Sequence, residues 1–257
     1  MDDPALHSSE VAPVAEVPTL SQWQRISSIF LEPSKTFEEI RRGHTSWWLP
    51  FLLFIVIGTG LWATVTYKVG WEQIATNSIH LSQKAANQID QMPPEQQATV
   101  MKRAGVAQKW IWAFAPVGLL LLNLIFSAIL LGTINFGFGG RATFGKVFAV
   151  SWYAGIPALL KLLLGIAGLV AGVTPEAFLP QNPAGTNLGF YVAPPDISTA
   201  VWSLCCSLDF ITIWTLVLFS IGLAKVAGTK RSTGFYAVFG WWVLSLLLGV
   251  GAAALRG

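Results

Sequence analysis

The chain has 257 residues, of which 53% are hydrophobic and only 11% charged, and its formal net charge is +3. A soluble domain needs about 25% charged residues to solvate its surface, so this composition excludes a chain built mainly as a soluble enzyme. The class it fits is an all-α integral membrane protein: a five-transmembrane-helix bundle with an N-terminal amphipathic helix and a helical hairpin in the first outer loop.

Residues 1–18 are acidic at the start, polar and dotted with proline, and are expected to be a disordered cytoplasmic tail. They lack the basic and apolar regions of a secretory signal, so no cleavage is expected. Residues 19–45 form a lead-in segment. Leu20, Trp23, Ile26 or Ser27, and Phe30 recur at helical spacing with Gln22, Gln24 and Arg25 between them. This pattern predicts a short amphipathic helix at the cytoplasmic membrane face, with Trp23 and Phe30 in the headgroup layer. It ends at Glu32-Pro33, and a second short helix follows to Arg42 with Phe37 and Ile40 on one face. The segment can dock on the protein's own spans or on lipid; partner binding is the alternative.

Residues 46–257 are the membrane domain. Crossing a hydrocarbon core of about 30 Å takes roughly 20 apolar residues in a helix. Five stretches qualify, at about 47–66, 110–138, 144–173, 197–224 and 235–255. Trp47 and Trp48, Trp110 and Trp112, Trp152 and Tyr153, and Trp241 and Trp242 lie at or near span ends, where amphipathic rings settle. The links around Arg141 and between Lys225 and Arg231 are basic, whereas residues 174–199 contain no Lys or Arg. Positive charge marks the cytoplasmic side, which sets the N-terminus inside and the C-terminus outside.

Between the first two spans, Pro93-Pro94-Glu95-Gln96 reads as a helix start. A helical hairpin is expected, one arm running to about Gln91 and the other continuing into the second span. The 174–199 segment holds Pro175, Pro180, Pro183, Pro194 and Pro195 with Gly185 and Gly189. It is expected to be irregular and to fold over the outer mouth of the bundle.

Chemical signatures are sparse. His7, His44 and His80 have no metal-ligand spacing, and neither G-x-S-x-G nor H-E-x-x-H occurs. No enzyme activity, cofactor, metal or nucleic-acid partner is expected. Cys205 and Cys206 are adjacent and point about 100° apart on a helix, so they read as two buried thiols. Gly228-Thr-Lys-Arg-Ser-Thr-Gly234 looks like a phosphate loop but lacks its residue order and preceding strand; it reads as a basic turn.

Two charges interrupt the spans. Lys161 and Asp209 each cost about 2.5–3.5 kcal/mol near the bilayer centre. Counting from the span centres places both slightly to the outer side at matching depth, which invites an ion pair. That pair reads first as a structural pin fixing the register of spans three and four. The competing readings are part of an ion or proton path, and a Lys161 that snorkels outward alone. Small residues at Gly168 and Gly172, and at Ser245, Gly249 and Ala253, suggest close helix packing, within the chain or between copies.

The segment Ile29-Phe-Leu-Glu-Pro-Ser-Lys-Thr-Phe-Glu-Glu-Ile40, followed by Trp47-Trp-Leu-Pro50, resembles the membrane-approach motif of the Yip (Ypt/Rab-interacting protein) family in its bacterial branch. Trp23, Phe30, Pro33, Phe37, Trp47 and Pro50 are the candidate residues of that motif. Leu208-Asp-Phe-Ile-Thr-Ile-Trp214 with Gly222-Leu223 resembles the branch's fourth span. The resemblance implies five spans and a cytoplasmic N-terminus, in a bacterial inner membrane. Eukaryotic relatives carry a cytosolic Asp-Leu-Tyr-Gly-Pro motif that this sequence lacks, which argues against GTPase binding. The expected function is a non-enzymatic membrane scaffold or organiser with lipid, a second copy or other membrane proteins as partners; the rival is a small transporter or ion-path subunit using Lys161 and Asp209.

Overall fold

The computed structural model describes residues 19–192, 194 and 196–256; the expected N-terminal tail and His7 lie outside these. Among the described residues every regular element is helical. Five helical segments are long and apolar enough to cross a membrane: 48–68, 115–137, 144–171, 210–227 and 231–255.

Helix α1 (Gln22–Leu31) starts with a capping box, in which Ser21 Oγ accepts from Gln24 N and Gln24 Oε1 accepts from Ser21 N. Helix α2 (Pro33–Arg42) begins with proline, whose missing N–H costs nothing there, and stops at Gly43 with φ 114°. The two form an antiparallel hairpin stitched by buried polar groups. Arg25 donates from Nε to Leu20 O at 3.2 Å and from Nη1 to His44 O at 2.8 Å. Thr36 Oγ1 donates to Arg25 O at 2.8 Å, and Glu39 Oε2 accepts from Leu20 N at 3.2 Å.

The hairpin docks on the protein itself. Ile29, Phe37 and Ile40 are fully buried in the main core with residues of the third and fourth spans, while Trp23 remains 63% exposed. Phe30 packs edge-on against Trp214, ring centroids 5.6 Å apart. The membrane face on this side is called here the near face, and the opposite one the far face.

Helix α3 (Trp48–Lys68) is the first span. The second differs from the hydropathy expectation: helix α6 (Pro94–Ala113) ends before it, and the span proper is α7 (Ala115–Gly132) with a π-helical turn over 133–137. Pro116 sits in the first turn of α7, where it cannot accept a continuous helix from α6 because proline has no N–H and clashes with the preceding turn. Trp110 and Trp112 therefore belong to the hairpin arm. The third span is α8 (Phe144–Ala154) and α9 (Leu159–Ala171), separated by a short 3-10 turn at Ile156–Ala158 built around Pro157. The fourth, expected as one helix over 197–224, is two: α10 (Thr199–Ser207) and α11 (Phe210–Ala227), broken at Leu208-Asp209. Helix α12 (Arg231–Arg256) is the fifth.

On the far face, α4 (Trp71–Ile79) and α5 (Gln83–Asp90) form the first arm of the expected hairpin, and α6 the second. A Cβ at Gly105 would meet the backbone of Trp71 and Glu72 at 2.9 Å, so glycine there allows α6 to approach α4. Asn77 Nδ2 donates to the carbonyls of Pro175 and Phe178 at 2.7 and 2.9 Å, and Thr199 Oγ1 to Leu81 O at 3.1 Å. The proline-rich segment is thereby anchored at both ends, but it does not simply cover the mouth. Its middle descends between the spans, placing Pro183 against Gly165 of α9.

Glycines also set the helix contacts nearest the hairpin. A Cβ at Gly222 would lie 2.6 Å from Val150 Cγ1 and 2.8 Å from Phe37 Cδ1, and one at Gly234 would collide with the Ser220 carbonyl and Ala224. Phe37 thus fills the space that glycine leaves on α11. We expect Gly222→Val to destabilise the protein by about 1–3 kcal/mol through overpacking. Gly249→Ala, where nothing lies within 4 Å, is expected to stay within about 0.5 kcal/mol of wild type. Thermal unfolding in detergent compares the two; equal effects would contradict the docked position of Phe37.

Candidate functional site

Asp209 is fully buried, at the break in the fourth span. A helix that starts in hydrocarbon exposes up to four N–H groups with no water to satisfy them. Asp209 meets that demand as the N-cap of α11: its Oδ1 accepts from Thr212 N at 2.8 Å. The carboxylate also faces the positive end of the helix dipole. Its other oxygen, Oδ2, accepts from Thr186 Oγ1 and from Asn187 Nδ2 at 3.1 Å, and lies 3.3 Å from Lys161 Nζ.

The descending loop completes the arrangement. Phe210 N donates to Thr186 O at 3.1 Å. Asn187 and Asn182 exchange side-chain hydrogen bonds at 2.7 and 3.3 Å, and Asn182 Nδ2 reaches Cys206 Sγ at 3.4 Å. Trp202 Nε1 donates to Gly189 O at 2.8 Å, and Gly189 has no room for a side chain because Cys206 N would lie 2.9 Å from its Cβ. Loop, α10 and α11 are tied into one polar latch.

Depth follows from packing. Leu61 Cδ1 lies 3.6 Å from a Cβ built at Gly165, and Ile166 Cδ1 lies 3.6 Å from one at Gly60. The parallel helices α3 and α9 therefore run about 104–106 residues out of step, which sets Lys161 level with residues 55–57, the middle of α3. Non-helical backbone at such depth is tolerated only when protein or a water-filled cavity surrounds it.

Beside the latch is a shallow groove of ≈ 460 Å³, lined by Thr186, Asn187, Leu208, Asp209, Phe210 and Ile213 among others. A second, of ≈ 280 Å³, runs between α9 and the loop along Leu164, Gly165, Gly168, Pro183 and Phe190. Both walls are mainly apolar. Among the described residues no group of three His, Cys, Asp or Glu side chains could hold a metal.

The Yip1 domain family profile matches residues 27–253, nearly the whole chain, from within α1 through α2, four complete spans and the latch to most of α12. The chain belongs to the Yip1 domain family. Nothing matches among curated proteins or solved structures.

The residues singled out from sequence, all but Trp23 within the matched Yip1 domain, have distinct positions. Lys161 and Asp209 meet in the latch. Pro33 opens α2 and Phe37 is buried beneath it, whereas Trp23 and Phe30 face outward. Trp47 stacks on Trp152 at 6.0 Å and meets Phe148 edge-on at 5.0 Å, and Pro50 is buried in the first turn of α3. Gly172 terminates α9 in the left-handed region with φ 108°. A Cβ at Gly168 would touch only Val173, and Gly249 faces open space; within the chain, Gly105, Gly165, Gly222 and Gly234 make the close approaches instead. Thr186, Asn187 and Asn182 escaped the sequence reading. Their signal was a buried carboxylate with more lone pairs than one lysine can fill, next to a loop rich in Asn and Thr.

At the near face Glu38 accepts from Arg41 Nε at 2.9 Å and pairs with Lys225 Nζ at 2.9 Å, linking the hairpin to the end of α11. The hydrogen bonds from Arg41 and then Lys225 lower its pKa from the ordinary 4.5 to about 2. A depressed carboxylate pKa contributes stability above the unfolded value and loses it as pH falls through the folded one. Hairpin docking is therefore expected to hold down to about pH 4.5 and weaken towards pH 2, and Glu38→Gln should remove that acid-dependent step when docking is followed by tryptophan fluorescence.

Asp209→Ala removes a helix cap and strands Lys161, Thr186 and Asn187 together, so we expect a loss of about 3–5 kcal/mol. Lys161→Met keeps the cap and both loop hydrogen bonds and should cost clearly less. Thermal stability in detergent ranks the two, and the reverse order would show that the cation, not the cap, holds the latch.

Proposed function

We propose that this Yip1-domain protein is a non-enzymatic membrane organiser or partner-binding protein of the family's bacterial branch. In this reading it sits in the inner membrane with the near face cytoplasmic and the C-terminus outside. The observation that carries it is the state of Asp209. The carboxylate is fully buried and engages a backbone N–H, a hydroxyl, an amide and an ammonium at once. A group that relays protons or ions needs a free lone pair and a path to water; this one spends its capacity on holding loop and helix together.

Branch and orientation rest on the segments at 29–40 and 208–214 and on the basic turns at Arg141 and Lys230-Arg231. The missing Asp-Leu-Tyr-Gly-Pro motif leaves GTPase binding out of this reading. Lipid, a second copy and other membrane proteins are the partner classes in keeping with an exterior on which four of the five spans are mostly unburied, α12 above all. A specific feature favours the rival ion-path reading: the Lys161 side chain keeps 20% of its surface exposed.

Reconstitution separates the two. We expect liposomes carrying the protein to show no proton or ion flux above protein-free liposomes, with Asp209→Asn indistinguishable from wild type in that assay. Crosslinking in native membranes should meanwhile give adducts of defined mass. Flux that disappears in Asp209→Asn would replace the organiser reading with the ion-path one.

A further inference from the structure

The two tight turns of the near face, at residues 138–143 and 228–231, touch each other. Arg141 N donates to Ala227 O at 3.0 Å, and a Cβ at Gly140 would lie 3.0 Å from Ala227 Cβ. The first turn is rigidly held: Asn135 donates to Ala142 O and accepts from Ala142 N, both at 2.9 Å, and Gly140 N donates to Ile134 O. Together the turns and the helix starts beside them present Arg141, Lys146, Lys230 and Arg231. Among the described residues none of these four makes an ion pair, and the described acidic groups of this face, Glu32, Glu38 and Glu39, are taken by Lys35, Arg41, Arg42, His44 and Lys225.

The positive potential is larger than the side chains alone supply. Helices α8 and α12 both begin here, each directing the positive end of its dipole outward. Thr143 caps α8 without a side-chain hydrogen bond, and α12 opens with arginine where an acidic residue is favoured. The Thr229 hydroxyl has no partner. Four cations on one rigid platform, with no counter-charge among the described residues, call for an anion.

Aromatic rings identify its source. Phe136 is 93% exposed and Tyr236 69%, and each lies about one helical turn inside the spans from the cations. A tyrosine ring belongs at the boundary between hydrocarbon and headgroups and an exposed phenylalanine in the hydrocarbon beside it, so together they hold the cations at headgroup level rather than out in the aqueous phase. We propose that the paired turns form a binding site for the phosphate headgroup of an anionic phospholipid, with Arg141, Lys146, Lys230 and Arg231 as its phosphate-binding groups and Phe136 and Tyr236 against its acyl region. The glycine-rich sequence from Gly228 to Gly234 then serves phosphate binding at a bilayer surface, without a nucleotide.

The test is native mass spectrometry of the full chain in detergent, titrated in parallel with phosphatidylglycerol and phosphatidylcholine. The wild type is expected to retain phosphatidylglycerol at about tenfold lower lipid concentration, as several basic residues at a surface allow. The variant Arg141→Gln/Lys146→Gln/Lys230→Gln/Arg231→Gln should shrink that preference to about twofold or less. Lys84→Gln/Lys102→Gln/Arg103→Gln, which removes cations from the far-face hairpin, should keep it. If the quadruple variant does not fold, the pairs Arg141→Gln/Lys146→Gln and Lys230→Gln/Arg231→Gln are measured separately, and each should lose about half of the preference on a logarithmic scale. Equal retention of the two lipids, an unchanged preference in the variants, or complete displacement of phosphatidylglycerol by inorganic phosphate at equal concentration would overturn the proposal.

Discussion

The structure depends on one constraint: a helix interrupted inside hydrocarbon must satisfy its freed backbone groups within the protein. The fourth span breaks at Leu208-Asp209, and the polar architecture of the far half follows from it. Asp209 caps the new helix start, and its second oxygen is left in need of donors. Thr186 and Asn187 supply them, so the loop that carries them has to leave the surface and descend. Lys161 then adds a charged partner to a carboxylate that the cap and the loop already hold. A buried ion pair by itself is weak grounds for stability; here the cap and the hydrogen bonds from the loop change the balance.

The near half is held by a different means. Polar groups there are enclosed within the α1–α2 hairpin, where Arg25 closes on the carbonyls of Leu20 and His44. What reaches the spans is almost entirely apolar: Ile29, Phe37 and Ile40. Gly222 makes the approach close enough for Phe37 to be fully enclosed, and dispersion at that distance is lost quickly if the gap widens. The part-exposed ion pair of Glu38 with Lys225 adds register and the acid-sensitive share of the docking.

Much of this was legible in the sequence. Five spans stand out because 20 apolar residues cannot be read otherwise, and the matching depths of Lys161 and Asp209 needed only the rise per residue. The apolar face of α2 was visible in Phe37 and Ile40, whereas α1 buries Arg25 and Ile29 and leaves Trp23 and Phe30 exposed. The break at Asp209 was not, because hydropathy averages over a window wider than the break, and a single Asp contributes one charge whether it caps a helix or interrupts one. Likewise Trp110 and Trp112 look like the start of a span from their chemistry, while Pro116 moves that start inward. Thr186 and Asn187 could not be placed because no local pattern states how deep a proline-rich loop descends. Arg25 reads as a polar-face residue, and its burial depends on carbonyls from a different part of the hairpin.

The two halves differ in how they fail. In the near half each contact is local, so a gap at Gly222 or Phe37 weakens the packing of α11 against α2 and α8 and leaves the other helix pairs packed. In the far half four donors converge on one carboxylate. Releasing any of them leaves buried polar groups that hydrocarbon cannot satisfy, and the cheapest relief for one, such as withdrawing the loop, exposes the others. Such a network holds as a unit or opens as a unit. The 3-10 turn at Ile156–Ala158, close below Lys161 in the third span, and the break at Asp209 in the fourth belong to the same region. Both long spans are therefore divided next to the latch, and its hydrogen bonds, more than helix continuity, fix how their far halves stand on their near halves.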